Sequence, residues 1–184
     1  MKKNLEEKDI IEKYKKIIKR QTYGEKEIID GVISRDLKHF VTEDGLFCEL
    51  ARLKKERILE GFEDFSIQQI NYTEVLPGVI KAWHLHFTQD DLWFVSPSSY
   101  LMVGLLDLRK DSKTQGKVQR LVLGVGRSQL LFIPRGVAHG YENLTNDKAI
   151  VIYFVNKKFN SQEPDEFRLP YDILGKDFWS IKAD

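Results

Sequence analysis

The chain has 184 residues, 29 lysines and arginines against 28 acidic residues, and a formal charge of +1, so it lacks the field of a nucleic-acid binder. Its length suits one domain with one core, and a small-molecule partner is expected. Cys48 is the single cysteine, which excludes an internal disulfide and a thiolate zinc cluster, and no apolar run is long enough to span a membrane.

These features predict a cytoplasmic protein with neither nucleic acid nor membrane as partner. The amino-terminal stretch "MKKNLEEKDIIEKYKKIIKR" repeats Ile10, Ile11, Tyr14, Ile17 and Ile18 at helical spacing. Asn4 and Glu7 offer a capping box, and basic residues gather toward the carboxyl end. One amphipathic α-helix is expected here, packed on the main domain or on a partner subunit. Residues 1–32 are read as this charged helix and its connection, and residues 33–184 as the functional domain.

From about residue 36 the texture changes to β-branched and aromatic runs punctuated by turns such as "TEDG", "LPG" and "TND". "FSIQQINYTEV", "VIKAWHLHF", "SYLMVGLLDL", "KVQRLVLGV", "SQLLFIP" and "KAIVIYFV" are the candidate strands. Their spacing predicts an all-β sandwich or jelly roll.

Two of the four histidines, His84 and His86, lie one residue apart in "GVIKAWHLHF". Regular alternation places Ile80, Ala82, His84 and His86 on one face, and Val79, Lys81, Trp83, Leu85 and Phe87 on the other. Two imidazoles so placed can converge on one ion or one substrate. A second stretch, "PRGVAHGYEN", adds His139 where a turn leads into another strand. Imidazoles buried without partners are costly, so a functional pocket is favoured over a core role for these three residues. Tyr153, in the apolar run "AIVIYFV", reads from its surroundings alone as a core tyrosine. Lys81 and Arg120 fit exposed strand positions as well as phosphate binding, and Asp107 with Arg109 fits a turn or a subunit contact.

Gly78, His84 and His86, followed by the Pro-x-Gly-x-x-His-x-x-x-Asn spacing of Pro134, Gly136, His139 and Asn143, resemble the two motifs of the cupin superfamily. Within it the chain is similar to the dTDP-4-dehydrorhamnose 3,5-epimerases from about residue 33 to about residue 179. "DGLFCEL", "GVIKAWHLHF", "LDLRKDSKTQGK", "IPRGVAHGYENL" and the tyrosine of "IVIYFVN" carry the resemblance in order and approximate spacing.

The resemblance implies a cupin jelly-roll barrel acting on a nucleotide-linked 4-keto deoxysugar by proton abstraction and return, with no cofactor. His84 falls on the catalytic base and Tyr153 on the catalytic acid. Phe47, Glu49, Lys81, His86 and His139 fall on substrate contacts. It also implies a homodimer formed by strand exchange at a sheet edge.

Several positions depart from the family. Lys81 stands at an arginine, His86 at a glutamine, and "TQDDLWFV" lacks the pocket lysine; the tail carrying the aspartate partner of the catalytic histidine has no counterpart. The change at His86 opens an alternative, a metal-dependent cupin with His84, His86 and His139 as ligands to a divalent transition metal and Asp90 or Asp91 as a further donor. A non-catalytic sugar-binding cupin is the third reading.

Overall fold

The computed structural model describes residues 4–21 and 28–181. Its first strands are β1 (Ile33–Asp36), β2 (His39–Thr42), β3 (Gly45–Cys48), β4 (Ile58–Leu59), β5 (Phe62–Ser66), β6 (Gln69–Val75) and β7 (Ile80–Leu85). They are followed by β8 (Asp91–Val95), β9 (Tyr100–Asp107), β10 (Val118–Gly124), β11 (Gln129–Ile133), β12 (Val137–Asn143), β13 (Ala149–Val155) and β14 (Phe167–Arg168). Two five-stranded sheets run in the orders β1-β11-β8-β13-β6 and β10-β9-β12-β7-β14, and β2-β3 and β4-β5 form separate hairpins. The pairings within both sheets are antiparallel. This is the expected jelly-roll class, with "FSIQQINYTEV" divided between the end of β5 and the whole of β6.

The sheets close on a core that includes Val75, Val95, Val103, Leu105, Leu131 and Val151. Each sheet also has a covered outer face. Leu59, Phe62 and Phe65 of the β4-β5 hairpin pack on Leu92, Phe94 and Phe154 of the first sheet. Phe178 and Trp179 pack on Trp83, Leu85 and Met102 of the second. With apolar neighbours on both faces, β8 is buried at all five positions and β9 at seven of eight, so neither alternates. The outer layer sits close: a Cβ added at Gly104 on β9 would meet Phe178, Trp179 and Trp83 ring atoms at 2.7, 2.8 and 2.9 Å.

The amino-terminal helix is much shorter than its periodicity predicts. A 3₁₀ turn covers Glu7–Asp9 and one helical turn, α1, covers Glu12–Lys15. The Asp9 carboxylate accepts the Glu6 N–H at 2.9 Å, so the cap is shifted from the expected Asn4 and Glu7. Ile11 and Ile17 are each 67% exposed. An isolated amphipathic helix gains most of its stability from burying its apolar face, and that burial is missing here. Residues 1–3 and 22–27 of this predicted segment, and 182–184 of the predicted domain, lie outside the described residues. No helix among the described residues is long and apolar enough to cross a membrane.

Candidate active site

The histidine strand is not a regular strand. On β12, His139 pairs with His84 and Tyr141 pairs with Lys81, so two steps on β12 are matched by three on β7. That extra residue is a β-bulge, and it switches the faces of everything before it. Ile80, Ala82, Trp83 and Leu85 all join the outer layer, while Lys81, His84 and His86 line one cavity. The simple alternation therefore fails at Ile80, Ala82 and Lys81, and the pocket gains a lysine. Gly140 makes room: a Cβ there would lie 2.4 Å from the Ala82 Cβ.

The cavity, of about 570 Å³, lies between the two sheets and is also lined by Asp91, Trp93, His139, Tyr141 and Tyr153. Arg168 on β14 stands directly beside His84 on β7. Its Nη1 donates to His84 Nε2 at 2.8 Å, and its Nη2 donates to Glu166 Oε1 at 2.6 Å. Glu166 Oε1 lies 3.4 Å from His84 Nδ1. Because an arginine N–H can only donate, Nε2 carries the lone pair and Nδ1–H faces the carboxylate. Burial, helped by His139 and Arg168, lowers the His84 pKa to about 3 and keeps its imidazole neutral.

His86 and His139 are arranged differently. His86 Nδ1 donates to the Asp165 carbonyl, and His139 Nδ1 donates to the Val137 carbonyl at 3.0 Å. Their Nε2 atoms face Asp91, at 3.9 Å from Oδ1 and 3.6 Å from Oδ2 respectively. Burial pushes the His139 pKa down against the opposing pull of Asp91. Gln89 Nε2 and Trp93 Nε1 hold the Asp91 carboxylate at 2.8 and 3.1 Å. The three-histidine ligand set is thus not what the fold assembles: Asp91 joins His86 and His139, while His84 turns to Glu166 and Arg168. Asp90 is taken up by Arg135 and Asn156.

Tyr153 projects from β13 into the same cavity. Its pKa is raised by burial and by the carboxylates of Asp91 and Glu166, so the phenol keeps its proton. Lys81 Nζ donates to Thr73 Oγ1 at 3.4 Å, and Lys157 and Lys158 line the same space.

Phe47 and Glu49 are not in this cavity. They border a separate groove of about 390 Å³ beside the β2-β3 hairpin, where Glu49 pairs with Arg52 at 2.9 Å. Arg120 reaches the Ser180 carbonyl and the Phe178 ring, and has a structural role. Asp107 and Arg109 form a buried turn network with Ser112 and Thr114.

Sequence reasoning missed Glu166, Arg168 and Asp165. The Asp165 carboxylate accepts the N–H groups of Phe87, Thr88 and Gln89, clasping the loop that leaves the histidine strand. A two-residue strand such as β14 carries no periodic signal; the charged run "PDEFR" is the trace it leaves.

A family model described as dTDP-4-dehydrorhamnose 3,5-epimerase matches residues 26–175. The spore coat polysaccharide biosynthesis protein SpsL of Bacillus subtilis is 43% identical over 145 residues, covering 79% of this chain and 91% of that protein. The probable low-salt glycan biosynthesis epimerase Agl13 of Haloferax volcanii is 35% identical over 146 residues, covering 78% of this chain and 89% of that protein. Among solved structures, the dTDP-4-dehydrorhamnose 3,5-epimerase of Sulfolobus tokodaii matches with a TM-score of 0.68 at 29% identity, covering 85% of each chain.

Proposed function

We propose that this chain, which belongs to the dTDP-4-dehydrorhamnose 3,5-epimerase family and is a nucleotide-sugar epimerase, uses His84 and Tyr153 as a proton-transfer pair on a dTDP-linked 4-keto deoxysugar. The observation that carries this reading is their placement on opposite walls. His84 stands on β7 of one sheet and Tyr153 on β13 of the other, and both line the same cavity.

The carbon beside a C4 ketone bears an acidic proton. His84 Nε2 takes it, and the electron pair moves into the ketone oxygen as an enolate. The Tyr153 hydroxyl returns a proton to the same carbon from the other face, which inverts the centre. No electrons leave the sugar, so the reaction calls on no redox cofactor. Arg168, which holds Nε2 in the free protein, yields that atom to the substrate C–H. Acid–base help of this kind contributes about 10²–10⁴-fold, and the remainder comes from positioning and enolate stabilisation.

Lys81 is assigned to the nucleotide phosphates as a point charge, and His86 and His139 to oxygens of the sugar. A nucleotide role for Phe47 and Glu49 requires the β2-β3 hairpin of a second copy, which fits a homodimer whose subunits complete each other's cavities. A nucleotide-activated substrate and one unpaired cysteine, Cys48, are in keeping with a cytoplasmic setting in polysaccharide biosynthesis.

Wild-type protein is expected to wash solvent deuterium into a dTDP-4-keto-6-deoxy sugar. The His84→Ala variant loses at least about 10²-fold of that exchange. Tyr153→Phe retains exchange and loses inverted product. Full exchange by His84→Ala removes His84 from the role of base.

A further inference from the structure

We propose that Tyr141 is the hydrogen-bond donor to the ketone oxygen as it becomes an enolate, with Thr73 as the residue that aims its proton into the cavity. The assignment rests on the epimerase reading and adds a role that neither His84 nor Tyr153 fills. Both of those act on carbon, one removing a proton and the other returning it, so the oxygen that receives the electron pair needs a donor of its own.

Among the described residues that are buried and line the cavity, Tyr141 alone keeps an uncommitted side-chain donor. The Nδ1–H groups of His86 and His139 go to backbone carbonyls, and Trp93 Nε1–H goes to Asp91. Lys157 and Lys158 are exposed, and the Arg168 side chain is 57% exposed and bound to Glu166. Tyr141 is only 8% exposed. A donor shielded from water stabilises a developing charge more than one that water screens.

The Lys81 ammonium can only donate, so the Thr73 hydroxyl oxygen accepts from it at 3.4 Å. Thr73 also hydrogen-bonds the Tyr141 phenol in the sense that favours the charged form, so the phenol oxygen accepts and its own proton is left for the cavity. One N–H of Lys81 is used in this chain of contacts, and two remain for the phosphates. The Trp93 ring stands edge-on to Tyr141 with centroids 5.4 Å apart, which holds the phenol in place. Burial and the nearby Tyr153 push the Tyr141 pKa up to about 12, so the phenol hydrogen-bonds an enolate without surrendering its proton.

On β12, His139 pairs with His84 and Tyr141 with Lys81, so Tyr141 stands on the same sheet as the base, one pair further along the bulged ladder. His139 and Tyr141 share a face two residues apart, about 7 Å along the strand. Base and donor thus meet the reacting carbon and the adjacent ketone from one wall, and Tyr153 faces them from the other. When His84 Nε2 takes the proton, the C–H pair becomes the new C=C bond, the C=O π pair moves onto oxygen, and the hydrogen bond from Tyr141 strengthens.

Solvent deuterium exchange into a dTDP-4-keto-6-deoxy sugar, at saturating substrate, reads enolate formation. Tyr141→Phe removes one hydroxyl and is expected to slow exchange by about 10²-fold, while the Kd for dTDP measured by calorimetry stays within about twofold. Tyr153→Phe, which keeps exchange and loses inverted product, separates the two phenols. Thr73→Val is expected to slow exchange by at least about threefold, and it decides if circular dichroism shows Tyr141→Phe to be unfolded. Unchanged exchange in the folded variant, or a loss matched by equally weakened dTDP binding, overturns the role of Tyr141. Absence of exchange in the wild type overturns the epimerase reading itself.

Discussion

His84 is set apart from its neighbours by what touches it. Its Nδ1 faces Glu166 and its Nε2 accepts from Arg168, whereas His86 and His139 give their Nδ1 protons to backbone carbonyls. In the proposed proton transfer, a carboxylate behind Nδ1 would stabilise the imidazolium formed when Nε2 takes a proton. Glu166→Gln keeps the shape and removes that charge. Its kcat is expected to fall about 10- to 100-fold with little change in KM, checked by initial rates; an unchanged kcat would show that the contact is not used. The "HLH" pattern could be read as a pocket feature, but the division of labour between its imidazoles could not. Glu166 and Asp91, which decide it, are separated by 75 positions in the chain and meet the histidines only in the folded protein.

The strands themselves were readable where local pattern is sufficient, as in "KAIVIYFV", which forms β13 almost unchanged. The facing of β7 was not, because a bulge is a property of a strand and its partner together. It depends on Gly140, across the ladder, where a side chain would strike Ala82. Gly140→Ala is expected to destabilise the fold by about 1–3 kcal/mol, and to raise KM for a nucleotide sugar by moving Lys81. Thermal melting and steady-state kinetics test the two halves separately. Trp83, beside the bulge and facing outward as regular alternation places it, is fully buried against Phe178 and Trp179, with ring centroids 5.2 and 4.9 Å away. Trp83→Ala is expected to cost about 3–5 kcal/mol, a fall of roughly 10 °C in Tm. A loss below 1 kcal/mol would mean that this layer adds little to stability.

Stability also depends on one buried charge. Burial pushes the Asp107 carboxyl up, but hydrogen bonds from Arg109, Ser112 and Thr114 outweigh it and hold the pKa well below its ordinary value. With the folded pKa depressed, the stabilisation is complete above the unfolded pKa of about 3.9 and is lost as pH falls through the folded value. The stability gap between wild type and Asp107→Asn, measured by urea unfolding, is expected to be full at pH 6 and to narrow steadily below pH 4. A gap independent of pH would remove the charge from the explanation. The assembly is expected to be a dimer, and light scattering at micromolar concentration that gives the mass of one chain would refute it.

The pairing of β1 with β11 and of β14 with β7 joins parts of the chain far apart in order. β1 has no partner until residues near 130 exist, and β7 lacks its outer neighbour until residue 168 does. During synthesis on a ribosome the histidine strand therefore waits through more than 80 further residues, its outer tryptophan uncovered until Phe178 and Trp179 emerge. A nascent chain stalled short of that point has neither the arginine beside His84 nor the layer behind it. The surroundings of His84 are complete only after translation has passed the segment that supplies both.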